Sequence, residues 1–187
     1  VDINRNDHAT IYYTSGSTGK PKGVLSSQKA IISTVFSWAC FSSIMKEVDA
    51  QKNPITSSLL EEASAILLCV PLFHVTGSHA GMFMSILVGR KIVMMKKWDA
   101  GIALQLIEQE KISDITGVPT QTWELLNHPD RLNYDLSSLK TLGAGGAPRP
   151  AEHVRQLDSE FEARPGIGYG LSETNALGAL GSGDEYV

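Results

Sequence analysis

The run Ala65–Val70 (Ala-Ile-Leu-Leu-Cys-Val), halted by Pro71, constrains this chain most. A strand that is apolar at every position has both faces covered, and that is the signature of a strand inside a parallel sheet. Parallel strands need crossover connections, and the rest of the chain supplies them. Short β-type runs are expected at Ala9–Tyr13, Lys91–Met95, Ile112–Thr116, Leu139–Leu142 and Gly166–Tyr169. Between them, helical spacing appears from Ser26 to about Met45, from the turn after Pro71 to about Val88, over Ala100–Glu110, after Val118-Pro119-Thr120, and from Pro150 to about Phe161. The polar stretch Lys46–Glu62 reads as a surface connection. The expected fold class is α/β, a mostly parallel sheet with helices on both faces, and ligands collect at the carboxyl ends of such strands.

The first β-type run leads into Tyr12–Val24, where hydroxyls, glycines and lysines alternate. Gly16, Gly19 and Gly23 let backbone N–H groups approach an anion, Thr14, Ser15, Ser17 and Thr18 add donors, and Lys20 and Lys22 add charge around the stiff Pro21. The spacing rejects the Walker-type loop, because four residues after Gly16 the chain reaches Pro21 and not Gly-Lys. A flexible Gly/Ser linker is the plain alternative. A helix directly after the loop would turn its positive end toward the anion.

Thr14–Gly23 resembles the signature loop of the adenylate-forming superfamily, which includes acyl-CoA synthetases, 4-coumarate ligases, luciferases and the adenylation domains of peptide synthetases. Gly168-Tyr169-Gly170-Leu171-Ser172-Glu173 is similar to a second motif of that family. The resemblance implies that Tyr169 stacks on adenine, that Ser172 meets the α-phosphate beside Gly170, and that Glu173 holds Mg²⁺, for which a hard carboxylate oxygen is suited. Read without the resemblance, the same stretch is a strand end with a helix cap. Gly143-Ala144-Gly145-Gly146-Ala147-Pro148 begins like a dinucleotide fingerprint, but Pro148 breaks it. By resemblance Gly145, Gly146, Ala147 and Pro148 line the adenine pocket.

Pro71–Gly77 resembles a stretch of acyl- and aryl-CoA synthetases in which the histidine, here His74, lies between the nucleotide and the acid. Relatives that activate amino acids carry a Phe-Asp pair nearby; here no aspartate follows before Asp99, which favours a simple carboxylic acid. Val118 and Thr120 fall in the stretch bordering the acid pocket. His79, five positions from His74, makes a poor metal pair with it and reads as structural.

The resemblance implies activation of a fatty or aryl acid by Mg-ATP, with catalytic roles for Lys22, His74 and Glu173, then transfer to coenzyme A. It also implies that residues 1–187 are an inactive internal fragment of the acetyl-CoA synthetase-like N-terminal domain, with the preceding part of the sheet and a small C-terminal domain lying elsewhere. A non-catalytic nucleotide-binding module and an adenylation domain loading a carrier protein are the rivals. A net charge of −4 gives no sign of a nucleic-acid surface. No apolar run reaches membrane-spanning length. Cys40 and Cys69 sit in apolar runs and read as buried free thiols in a reducing, cytoplasmic setting.

Overall fold

Six strands form one sheet in the order β4-β3-β5-β6-β7-β8 in the computed structural model, which describes residues 2–16, 19–52, 64–161 and 163–182. They are β3 (Ala65–Leu68), β4 (Lys91–Met94), β5 (Asp114–Gly117), β6 (Thr141–Gly145), β7 (Arg164–Tyr169) and β8 (Ala179–Ser182). All neighbouring pairs are parallel except β7 with β8. Every residue of β3 is buried, as its unbroken apolar run requires.

One face of the sheet carries α3 (Ala100–Glu110), α4 (Pro119–Leu126) and α5 (Ala151–Glu160). Leu104 and Ile107 from α3, Leu125 from α4 and Leu157 from α5 close on Leu67, Ile115 and Leu142 with no exposed surface at any of them. Removing several apolar side chains from water here is the main stabilising term, about 1.5–3 kcal/mol for each one buried. Asp99 starts α3 by accepting a hydrogen bond from the Ile102 N–H at 2.9 Å.

The other face carries α1 (Gln28–Lys52) and a wide-turned π-helical segment, Thr76–Phe83, that continues into α2 (Met84–Val88). Ile31, Val35 and Met84 form a second, smaller core there with Trp38 and Phe83. α1 runs beyond the expected Met45 to Lys52, so the first part of the anticipated surface connection is helix; the remainder lies outside the described residues. Only half of its apolar stripe is covered: Ile31 and Val35 are buried, whereas Ile32, Phe36 and Cys40 are exposed. Cys40 is therefore not the buried thiol expected. Cys69 is partly buried, and burial pushes its thiol up to about 11, which keeps it protonated and a poor nucleophile at neutral pH.

β1 (His8–Thr14) and β2 (Lys22–Ser27) form a separate antiparallel hairpin. A strand thus intervenes between the glycine-lysine loop and the helix expected from Ser26, so that helix does not follow the loop directly. Val24 and Ser26 turn inward while Gly23 and Leu25 face out, a period of two that pairs with β1. α1 starts only at Gln28, where the N–H groups of Gln28 and Lys29 donate to the carbonyls of Asp7 and Arg5. Those two donors of the helix start are used within the chain, so α1 does not serve the loop as an anion site.

Two further boundaries differ from expectation. Gly143 and Gly145 belong to β6 itself, and the loop begins at Gly146 with φ 77°. After β7 the chain makes a 3-10 turn, Ser172–Thr174, and returns antiparallel as β8, which the sequence did not announce.

Candidate active site

The hairpin loop spans seven residues between the paired Thr14 and Lys22. Gly16 has φ 63°, and a Cβ there would lie 2.5 Å from the Lys20 carbonyl oxygen, so the loop closes only over glycine. Its Gly16 carbonyl accepts from the Gly19 N–H at 3.2 Å. Thr14 is half-buried, and Ser15, Lys20 and Lys22 are exposed. Ser17 and Thr18 lie outside the described residues.

Two long-range hydrogen bonds place this hairpin. Ser26 Oγ donates to Asn175 Oδ1 at 2.8 Å, both residues being buried, which fixes β2 beside the Ser172–Thr174 turn. Tyr12 OH donates to Ser78 Oγ at 2.6 Å, which fixes β1 against the Thr76–Phe83 segment that follows His74. These two bonds hold the hairpin against the Ser172–Thr174 turn and against the segment that follows His74. Neither Ser26, Tyr12 nor Asn175 was expected as part of the site. They carry no motif, and only the tertiary pairing reveals them.

The Ser172–Thr174 turn is held under backbone strain. Asn175 has φ 53° and Ala176 φ 73°, positive values that cost a non-glycine residue about 1–3 kcal/mol. The Ala176 N–H donates to the Leu171 carbonyl at 3.0 Å, and the Leu171 N–H donates to Thr174 Oγ1 at 3.0 Å. Glu173 projects from this turn exposed, with no hydrogen-bond or ion-pair partner among the described residues. Tyr169, at the end of β7, is 64% exposed, so its ring offers a face to a planar ligand.

Beside these motifs opens a cavity of about 500 Å³ between the sheet and α1 with the Thr76–Phe83 segment. Of the residues expected at the site, His74, Val118, Gly145, Gly146, Gly170 and Ser172 line it. Lys22, Tyr169 and Glu173 stand outside its lining, as do Thr14, Ser15, Gly16, Gly19, Ala147, Pro148 and the exposed Thr120. The cavity also takes in Trp38 and Phe41 from α1, and Arg90, Asp114, Thr141 and Arg164 from the opposite ends of the strands. No motif marked that second group. The period-two spacing of Gly143 with Gly145 and of Gly166, Gly168 and Gly170 is a signal for the cavity floor alone.

His79 is fully buried, 2.9 Å from Ser78 Oγ through Nδ1 and edge-on to Tyr12 at 5.5 Å. That bears out its structural reading. Burial pushes its imidazole below the ordinary value, and burial followed by the neighbouring Arg149 charge does the same for His153. Both favour the neutral form when folded, so unfolding takes up protons below the ordinary imidazole range. Their stabilising contribution is present above about pH 6.5 and is lost as pH falls toward their lower folded values. The denaturation midpoint is expected to drop between pH 7.5 and pH 5, and His79→Gln is expected to flatten that slope. An unchanged slope would remove His79 from the account.

A divalent cation fits what is present. Among the described residues no group of three or more His, Cys, Asp or Glu side chains could hold a metal by itself. Mg²⁺ does not need one, because it binds through one or two carboxylates, phosphate oxygens and water, and Glu173 offers such a carboxylate. No helix among the described residues is long and apolar enough to cross a membrane.

Comparison with known proteins agrees with the motifs. The chain is 33% identical over 179 residues to 4-coumarate--CoA ligase CCL1 of Humulus lupulus, covering 95% of this chain and 30% of that protein. It is 33% identical over 172 residues to the long-chain-fatty-acid--CoA ligase of Bacillus subtilis, covering 92% and 28%. It thus spans about a third of the length of the curated relatives it matches. Among solved structures, the N-terminal domain of FACL13 from Mycobacterium tuberculosis superposes with a TM-score of 0.78 at 26% identity, over 96% of this chain and 41% of that one. O-succinylbenzoate coenzyme A synthetase from Bacillus subtilis, in complex with ATP and magnesium ion, gives 0.74 at 26% identity, over 96% and 34%. A family model described as AMP-binding enzyme matches residues 1–186, and the chain belongs to that family.

Proposed function

We propose that this chain forms the nucleotide- and acid-binding part of an enzyme that activates a carboxylic acid with Mg-ATP and passes it to coenzyme A. The carboxylate oxygen attacks the α-phosphorus, the bond to the β-phosphate oxygen breaks, and pyrophosphate leaves. The thiolate sulfur of coenzyme A then attacks the acyl carbonyl and AMP departs. The observation that carries this reading is the pair of hydrogen bonds, Ser26 to Asn175 and Tyr12 to Ser78, which hold the glycine-lysine hairpin beside the Glu173 turn and the His74 segment.

In this reading Lys22, the hairpin amides and the hydroxyls of Thr14, Ser15, Ser17 and Thr18 neutralise the phosphates, with Gly16 and Gly19 giving the loop its shape. Charge neutralisation is the main demand of the first step, since negative charge spreads over phosphate oxygens in its transition state. Glu173 would hold Mg²⁺, which supplies charge to the leaving pyrophosphate. Tyr169 stacks on adenine over the Gly145–Pro148 loop, with Gly170 letting the ligand approach, and Ser172 donates to the α-phosphate. His74, exposed and on the cavity wall, separates the nucleotide from the acid, which enters past Val118 and Thr120. The relatives' names point to an aryl or fatty acid.

The test is carboxylate-dependent exchange of pyrophosphate into ATP by the full chain that carries residues 1–187, across aromatic acids, fatty acids and amino acids. Exchange driven by aromatic or fatty acids is expected. Binding of Mg-ATP without exchange for any acid would overturn the reading in favour of a non-catalytic nucleotide module.

A further inference from the structure

The cavity is cut by missing side chains. Register across the sheet places Thr116, Gly143 and Gly166 side by side in one row, and Gly145 beside Gly168 in the next. All five line the cavity, so two successive rows of its floor are nearly bare backbone. The ring of Trp38 roofs this trough, 3.6 Å from where a Cβ on Gly168 would sit.

The row before these is different. Asp114, Thr141 and Arg164 are register partners at the beginnings of β5, β6 and β7, and all three line the same cavity. Arg90 joins them, its guanidinium 3.5 Å from Asp114 Oδ1. Both side chains are mostly withdrawn from solvent, at 13% and 23% exposure. The pair is fixed from both sides: Arg90 Nε donates to Ser85 Oγ at 3.1 Å, and Asp114 accepts from Ser113 Oγ and Thr141 Oγ1, each at 2.5 Å. One end of the trough therefore meets the nucleotide motifs and the other meets a held ion pair. Four residue steps of β6 separate them, about 13 Å.

Resting on the acid-activating reading above, we propose that the Arg90–Asp114 pair reads the far end of the bound acid and selects one that carries a terminal hydroxyl. An alkyl end pressed on the pair strips its water and returns no hydrogen bond. A terminal carboxylate suits Arg90 and Arg164 but meets the Asp114 carboxylate, and an ammonium suits Asp114 but meets both arginines. A hydroxyl donates to the carboxylate and accepts from the guanidinium at once, so it matches both. An extended chain advances about 1.25 Å per carbon with C–C bonds near 1.5 Å, so the trough takes an acid of about ten carbons.

The experiment uses the full chain, with calorimetric binding of decanoate and 10-hydroxydecanoate alongside pyrophosphate exchange for both. The hydroxy acid is expected to bind about tenfold tighter, the value of one hydrogen bond to a charged group. Arg90→Met is expected to bring the ratio to about one. In case that variant folds poorly, Gly166→Val tests the trough separately. A Cβ at Gly166 meets nothing closer than the Gly181 carbonyl at 3.6 Å, so the first added carbon is accommodated and the branched side chain narrows the trough. The variant is expected to lose both ten-carbon acids and keep hexanoate. Equal binding of the two acids, no binding of either, or ten-carbon binding untouched by Gly166→Val would overturn the proposal. Preferential binding with no exchange would leave it standing and overturn the acid-activating reading instead.

Discussion

Glu173→Ala is expected to lower pyrophosphate exchange by about a hundredfold or more, the range seen when one fixed electrostatic contact to a transition state is removed. Glu173 is exposed and partnerless among the described residues, so its removal leaves the turn's own hydrogen bonds in place. Substitution at such a surface site changes stability by no more than about 0.5 kcal/mol, and the unfolding midpoint should hold. Titrating Mg²⁺ separates the reading from a general defect: the variant should need more Mg²⁺ for the activity that remains. Glu173→Gln, which keeps the shape but not the charge, should behave like the alanine variant. Exchange at the original rate in either would remove Glu173 from the metal site.

Gly77→Ala is expected to act in the opposite way, through packing. A Cβ at Gly77 would lie 2.4 Å from the Pro71 carbonyl oxygen, 2.7 Å from that of Val70 and 2.9 Å from the Pro71 carbonyl carbon. All three are backbone atoms, so no side chain can swing aside. Either the π-helical segment or the chain leaving β3 has to move, at a cost of about 3 kcal/mol. The denaturation midpoint should fall accordingly, and the acid KM should rise, because Thr76 on this segment and His74 and Val75 just before it line the cavity. An unchanged midpoint would mean that this close approach is not maintained.

The chain shows which physical signals survive in a sequence. β3 was legible because burial on both faces leaves an uninterrupted apolar run, and α3 because its buried stripe of Ala103, Leu104 and Ile107 recurs at helical spacing. The hairpin was not, because Lys22–Ser27 is glycine- and serine-rich and only pairing with β1 makes it a strand. Gly143 and Gly145 read as loop for a related reason. Glycine is the residue of turns, yet here it leaves a strand face bare to make room for a cavity. The motif residues were legible because their types and order match a family pattern that covers residues 1–186. The Arg90–Asp114 pair was not, because its members join only through the alignment of separate strands.

The two bonds that seat the hairpin also set an order of assembly. Tyr12 finds its partner 66 positions along the chain and Ser26 finds its own 149 positions along. During synthesis the hairpin emerges long before either anchor, and closing such loops is entropically costly until the sheet exists to reward it. The loop that carries Lys22 is therefore among the first parts made and the last to be put in place. Nucleotide affinity should appear in nascent chains only once residue 175 has cleared the ribosome.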